Sequence, residues 1–322
     1  MTPEATSGRP EKTASPPVPS PNAASALRSR VRMVWHVGRG NLLLGTAVGF
    51  LVVLVLAAVF APIVAPHDPM AINPALRNSP PGTLGDGGST ALLGTDALGR
   101  DELSRLIYGA RVSLLVAVLS VLLSGLIGVT LGLLAGYYRG FRESLIMRIV
   151  DLQMGLPSLL IALLALYVLG SGILNVVLVL AVTRWMVYAR LVRGILLSLR
   201  ERQFFEGILQ LGASDARAIL RHALPNVLSP VSVLLTLEMA MMMLLEASLD
   251  FIGLGVQPPE ASWGLMLAEG KNYMTTAWWQ VTLPGVAIML TALSLNIIAA
   301  RFGGSSAKPV LRMDLEQHGR GA

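Results

Sequence analysis

Two acids, Glu238 and Glu246, stand eight positions apart inside an apolar stretch of this 322-residue chain, with Met239, Met241, Met242 and Met243 between them. A carboxylate near the centre of a bilayer costs on the order of 3 kcal/mol, so both must face protein, water or a partner. Several chemistries suit them: relaying protons, meeting the amino group of a passing solute together with Met242, pairing with a cation such as Arg184, or staying protonated. The methionines suit an adaptable lining or plain packing.

Bond-making chemistry finds fewer candidates. The chain has no Cys, which excludes thiol catalysis, thiolate metal sites and disulfides. No Ser-His-Asp or metal-ligand constellation lies on the apolar stretches, and His67, His222 and His318 are far apart without ligand spacing. No metal and no cofactor is expected. The Gly-rich block from Gly94 to Asp101 could cradle phosphate on its backbone N–H groups. It lacks the Gly-Lys-Ser/Thr ending of a nucleotide loop, and none of Lys12, Lys271 and Lys308 follows a Gly-rich turn. It reads as a capped turn feeding an interfacial helix, and the chain is expected neither to bind ATP nor to be an enzyme.

The elements that must position these residues are set by lipid. With 53% apolar and 14% charged residues and a mean hydropathy of +0.64, the chain is far from the roughly 25% charge of a soluble domain. Windows of about 20 apolar residues cross a bilayer as helices, and the chain has six. They run near Leu42 to Ala61, Val112 to Gly136, Ile149 to Leu169, Ile173 until the stretch fades into Arg184, Trp185, Arg190 and Arg193, Val227 to Leu249, and Gln280 to Ala300. The second carries Ser120, Ser124, Gly128, Gly132 and Gly136 at intervals of four, a small-residue stripe that lets another helix approach closely.

Basic residues orient the spans, since short cytoplasmic loops are enriched in Lys and Arg. Arg28, Arg30, Arg32 and Arg39 precede the first span, Arg139, Arg142 and Arg148 follow the second, and Arg190, Arg193, Arg200, Arg202, Arg217 and Arg221 surround the fourth-to-fifth connection. Both termini are therefore expected in the cytoplasm. The first external loop runs against the pattern with Arg77, Arg100, Arg105 and Arg111, balanced by Asp68, Asp86, Asp96, Asp101 and Glu102. Because the arginines cluster at membrane boundaries, the net charge of +6 reflects topology and not nucleic-acid binding. Residues 1 to about 25 are rich in Pro, Ser, Ala and Thr, lack the apolar core of a signal peptide, and are expected to be disordered.

One polar insertion interrupts the spans, from Glu201 to Asn226. Its pattern predicts two short helices joined at Gly212, the second with Ser214 at its N-cap, Asp215 at the positive end of its dipole, and Pro225 as its stop. On spacing alone an amphipathic hairpin lying on lipid fits as well as a docking element.

The insertion resembles the EAA loop of ABC importer permeases, whose pattern is Glu-Ala-Ala, three residues, Gly, nine residues, Ile, one residue, Leu-Pro. Glu206, Gly212, Leu224 and Pro225 match at that spacing, while Gly207 and Ile208 replace the alanines and His222 the isoleucine. Four further blocks resemble the dipeptide and oligopeptide branch in the same order: Ala65 to Pro69; Leu93 to Asp101 with Ser104, Arg105, Tyr108, Gly109 and Arg111; Phe251 to Pro259 with Ser262, Trp263 and Gly264; and Pro284-Gly285. Glu246 matches an acid of that family; Glu238 does not, Asp250 stands where Ser is common, and Ala299 to Gly304 departs from the family's ending.

The likeness covers about residues 41 to 300 and implies an all-α, six-span type I permease fold, of the C-type subunit. The resemblance implies a 41–302 permease domain between a 1–40 and a 303–322 cytoplasmic tail, with a 201–226 loop that docks on an ATPase. Its implied docking set is Glu206, Gly207, Gly212, Ala213, Ser214, Asp215, Arg217, His222, Leu224 and Pro225. Its implied partners are a homologous second permease in a heterodimer, two ABC ATPase subunits, an extracytoplasmic binding protein and the bilayer, with peptides as cargo. Nickel or another small solute remains an alternative, as does a proton-coupled transporter using Glu238 and Glu246. An intramembrane hydrolase has no constellation to support it.

Overall fold

The computed structural model describes residues 42–84 and 90–306, and from Leu44 onward these form one compact unit. The expected 1–40 tail, Asp86 and residues 307–322 lie outside the described residues. Helix α1 (Leu42–Val59) is the first span. A single turn, α2 (Ala61–Val64), an extended stretch with one 3-10 turn (Pro74–Leu76), and a short hairpin follow, with β1 (Thr83–Leu84) antiparallel to β2 (Thr90–Ala91).

Asp101 then caps α3 (Glu102–Tyr138): its Oδ2 accepts the Ser104 backbone N–H at 2.8 Å and the Ser104 hydroxyl at 2.6 Å. The capped turn therefore feeds the second span itself, not the interfacial helix that the sequence suggests. At 1.5 Å per residue this 37-residue helix is about 55 Å long, so its two ends stand clear of the ~30 Å hydrocarbon layer.

The third apolar window is not one helix. α4 (Gly140–Met154) and α5 (Ser158–Leu169) meet at 90° across Gly155, Leu156 and Pro157. Pro157 has no N–H to continue the ladder and disfavours helical backbone at Leu156. Gln153 seats the break by donating its side-chain amide to the Val182 carbonyl at 2.5 Å. Among the described residues five helices are long and apolar enough to cross a bilayer, and six spans result when the bent pair is counted as one.

α6 (Ile173–Arg200) runs unbroken through the three arginines at which its apolar window fades. After it come α7 (Gln203–Gln210), α8 (Asp215–Arg217), a π turn (Ala218–Ala223) and α9 (Leu224–Ile252). Pro225 does not stop the second connecting helix, contrary to the expectation from sequence. It falls in the first turn of α9, directly after a wide turn in which the Leu224 N–H reaches back five residues to the Ile219 carbonyl. Proline's missing donor is tolerated in a first turn, and the chain passes from α8 into the fifth span as one continuous rod. The last elements are α10 (Trp263–Gly270), capped by Ser262, a 3-10 turn (Lys271–Tyr273) and α11 (Trp279–Ser306), which continues four residues beyond the expected boundary at 302.

α3 meets α6 along the stripe of small residues, all five of them buried. A Cβ on Gly128 would lie 2.2 Å from the Trp185 carbonyl oxygen, on Gly132 2.7 Å from that of Ala189, and on Gly136 2.9 Å from the Leu196 Cβ. The two backbones are in near contact at one residue per turn, which is how helices gain dispersion energy where lipid removes the hydrophobic drive. Ser120 adds a weak hydrogen bond to the Val177 carbonyl at 3.4 Å. Replacing Gly128 by Val should lower the stability of the detergent-solubilised protein by about 3 kcal/mol through overpacking. Gly45→Ala, with nothing within 4 Å of the added carbon, should leave the thermal melt unchanged.

Candidate functional site

The 201–226 segment is built around Gly212, whose φ of +81° is open to glycine and strained for most other residues. Ser214 takes the N-cap position of α8 with extended backbone but makes no side-chain cap bond. Asp215 does not cap either; its Oδ1 accepts the Tyr137 hydroxyl at 2.8 Å. Tyr137 lies in the last turn of α3, its carbonyl accepts a hydrogen bond from the Arg200 guanidinium, and that guanidinium lies 5.4 Å from the centre of the Tyr137 ring. Phe205 is fully buried among Tyr137, Leu196, Leu199, Ala218 and Val227. One aromatic side chain thus pins α7 to the ends of α3, α6 and α9.

Outside this anchor the segment turns apolar surface outward, with Phe204 47% and Leu211 90% exposed. Glu206 and Gly207 follow Phe205 on α7, and an added Cβ at Gly207 meets nothing within 4 Å, so an alanine would fit there. The Ala213 N–H closes the turn on the Ile208 carbonyl at 3.3 Å. Arg217 is exposed on α8, His222 is half-buried in the π turn with its carbonyl accepting from Asn226 at 2.7 Å, and Leu224 and Pro225 open α9.

Glu238, Met242 and Glu246 share one face of α9, at intervals of four, and all three are buried within the chain. Glu238 is held by Arg184 of α6 through two hydrogen bonds, Nε to Oε2 at 2.8 Å and Nη2 to Oε1 at 2.5 Å. The planar fork matches the carboxylate in both geometry and charge. Met242 lies in the apolar core. Glu246 accepts the Ser113 hydroxyl of α3 at 3.2 Å, and the same hydroxyl receives the Trp263 N–H at 3.2 Å. One turn on, Asp250 accepts the Val256 N–H at 2.6 Å and the Ser262 hydroxyl. These acids tie the ends of α9 and α10 to α3, and an added Cβ on Gly264 would strike Ala247 and Asp250 at 2.6 and 2.7 Å.

Near the start of α3, three of the four arginines that disturb the charge pattern have partners. Arg100 and Arg105 both bind Asp96 and both reach Glu269 on α10, at 3.0 and 2.6 Å. Arg77 donates to the Tyr273 hydroxyl at 3.2 Å.

A bundle of apolar spans is what a transport family of the inner membrane requires. The family described as binding-protein-dependent transport system inner membrane component matches residues 128–305. The chain belongs to that family. The N-terminal transmembrane domain of oligopeptide transport permease C matches residues 29–81. The permease is 42% identical over 249 residues to the di/tripeptide transport system permease protein DppC of Pseudomonas aeruginosa, covering 77% of this chain and 82% of that one. It is 37% identical over 266 residues to the probable D,D-dipeptide transport system permease protein DdpC of Escherichia coli, covering 83% and 87%. A glutathione transport system permease protein, GsiD of Pectobacterium atrosepticum, is 42% identical over 216 residues, covering 67% and 72%.

The permease's anchors, Phe205, Tyr137, Ser113, Ser262 and Glu269, carry no signal of spacing, because their partners lie on other helices. The doubled aromatic at Phe204-Phe205, one exposed and one buried, is the nearest thing to a local clue. Breaking a buried ion pair from one side leaves an uncompensated charge, at a cost of about 3–5 kcal/mol. Arg184→Ala in the permease should therefore destabilise strongly, and Arg184→Leu with Glu238→Leu much less than the two single changes added together. A thermal double-mutant cycle in detergent measures this, and strict additivity would remove the pair from the account.

Proposed function

We propose that this permease is a membrane subunit of a peptide importer, working beside a homologous second permease, an extracytoplasmic binding protein and two ATPase subunits that dock on segment 201–226. The observation that carries the reading is the hairpin itself. It offers exposed Phe204 and Leu211 to a partner while Phe205 and Asp215 fasten it to α3, α6 and α9. A partner that closes on the hairpin moves the ends of three spans with it. Such a partner drives transport only if it binds one permease conformation more tightly than the other.

The basic residues around this hairpin support a cytoplasmic placement, with both termini on the same side. The cargo follows from the relatives, whose names give di- and tripeptides, a D,D-dipeptide and glutathione, all short amide-linked molecules. Glu238 and Glu246 serve the fold in this reading, through Arg184 and Ser113. Nothing comparable supports proton relay.

Gly212→Val, at a φ of +81°, should abolish substrate-stimulated ATP hydrolysis in the assembled complex while membrane insertion stays intact, and Glu206→Ala should reduce it at least tenfold. Unchanged stimulation in both variants would sink the coupling role. Affinity capture of the tagged permease from native membranes should recover a second permease and an ATPase, and recovery of this chain alone would count against the assembly.

A further inference from the structure

About two turns into α3, at its end opposite the hairpin, a cavity of about 340 Å³ opens between that helix, Pro69 and Met70, the start of α6 at Ile173, and the loop from α9 to α10. Its polar side chains are Tyr108 and Arg111 of α3 and Glu260 of the loop. Arg111 is the arginine near the start of α3 that no partner answers. Its guanidinium makes no hydrogen bond or ion pair with any described residue, and the same holds for the Tyr108 hydroxyl and the Glu260 carboxylate. Arg111 and Glu260 are exposed, opposite in charge and lining one cavity, yet they do not pair with each other. Tyr108 and Arg111 stand three positions apart on α3, so their donors share one face of the helix and approach the cavity from the same side.

A lone anion in this cavity meets Glu260, and a lone cation meets Arg111; a solute that carries both charges a few bonds apart satisfies both at once. We propose that the cavity takes a short peptide by its two ends, the α-carboxylate on the Arg111 guanidinium and the Tyr108 hydroxyl, and the α-ammonium on Glu260. A guanidinium fork matches a carboxylate in geometry as well as charge. The remaining walls are apolar and make no demand on the peptide's side chains beyond size. The volume lies at the small end of ligand pockets. Extended peptides span at most about 7 Å for two residues and about 11 Å for three, so only the shortest place both ends inside it. The inference rests on the importer reading for the class of cargo. It adds a place where the permease itself reads the free ends, on the outer side in the proposed topology.

The test uses the membrane complex purified through a tag on this chain and held in phosphatidylcholine nanodiscs, with thermal stabilisation as readout. Three probes are titrated: alanyl-alanine, alanyl-alanine amide, which lacks the carboxylate, and N-acetyl-alanyl-alanine, which lacks the ammonium. Alanyl-alanine should stabilise saturably, and blocking either end should weaken the response at least tenfold. Arg111→Gln should erase the preference for the free carboxylate alone, so that alanyl-alanine and its amide respond alike. Glu260→Gln should erase the preference for the free amino end alone. Both side chains are exposed and unbonded, so neither change should move the melt of the unliganded complex. The proposal is overturned when alanyl-alanine gives no saturable response, when the blocked peptides match it in the unaltered complex, or when the two variants keep both preferences. Phosphatidylethanolamine carries the same pair of charges in its headgroup. If exchanging it for phosphatidylcholine stabilises the unaltered complex but not Arg111→Gln, while the peptide responses of that variant are unchanged, the cavity anchors lipid and the peptide proposal falls. Substrate-stimulated ATP hydrolysis with the hairpin variants reports on the importer reading separately.

Discussion

Charge carried into lipid must be met inside the protein, and that requirement organises this molecule around α6. The helix takes three arginines below its apolar half, and each is answered from a different place: Arg184 by Glu238 of α9, Arg190 by Asp151 and Arg193 by Glu143, both of α4. An unanswered guanidinium as buried as that of Arg184 would leave an uncompensated charge in the bundle, whereas Arg190 and Asp151 meet at its more exposed edge. On its other side α6 lies against the glycines of α3 with almost no side chain between the backbones. The spine is therefore fixed by ion pairs on two faces and by steric contact on a third.

Under the proposed docking role, this arrangement would give a short hairpin leverage over long spans. The lower end of the spine, Leu196 to Arg200, also forms the floor on which Phe205 sits, and Arg200 reaches across to Tyr137, which in turn holds Asp215. The hairpin is thus seated on the same helix that sets the spacing of α3, α4 and α9. At the far end the acids Glu246 and Asp250, with Ser113 and Ser262, perform the matching task of locking α10 against α3 and α9.

Much of the fold is legible in the sequence because hydropathy is a local property: five of the windows become helices long and apolar enough to span, and Gly212 marks the hairpin's turn as its φ requires. Proline misleads twice, in opposite directions. Pro157 lies inside a window that reads as one span yet breaks it by 90°, while Pro225 reads as a stop yet starts α9. Which outcome holds depends on whether the preceding turn can give up a hydrogen bond, and the residue itself does not say. The charged pairs are legible only in part. Arg184 with Glu238 is one of several options along the chain, whereas Glu269 lies 164 positions from Arg105 and gives no hint of their meeting.

The wide turn at Ala218–Ala223 bears on more than the tolerance of Pro225. A π turn stores one residue above what an ordinary ladder would use, and at 3.6 residues per turn one residue corresponds to about 100° of rotation. Passing that surplus up or down the rod changes the angular phase of α8 relative to α9 without uncoupling them. If the hairpin is the docking element proposed above, such a shift at this joint would reach the span as torsion of the face that carries Glu238.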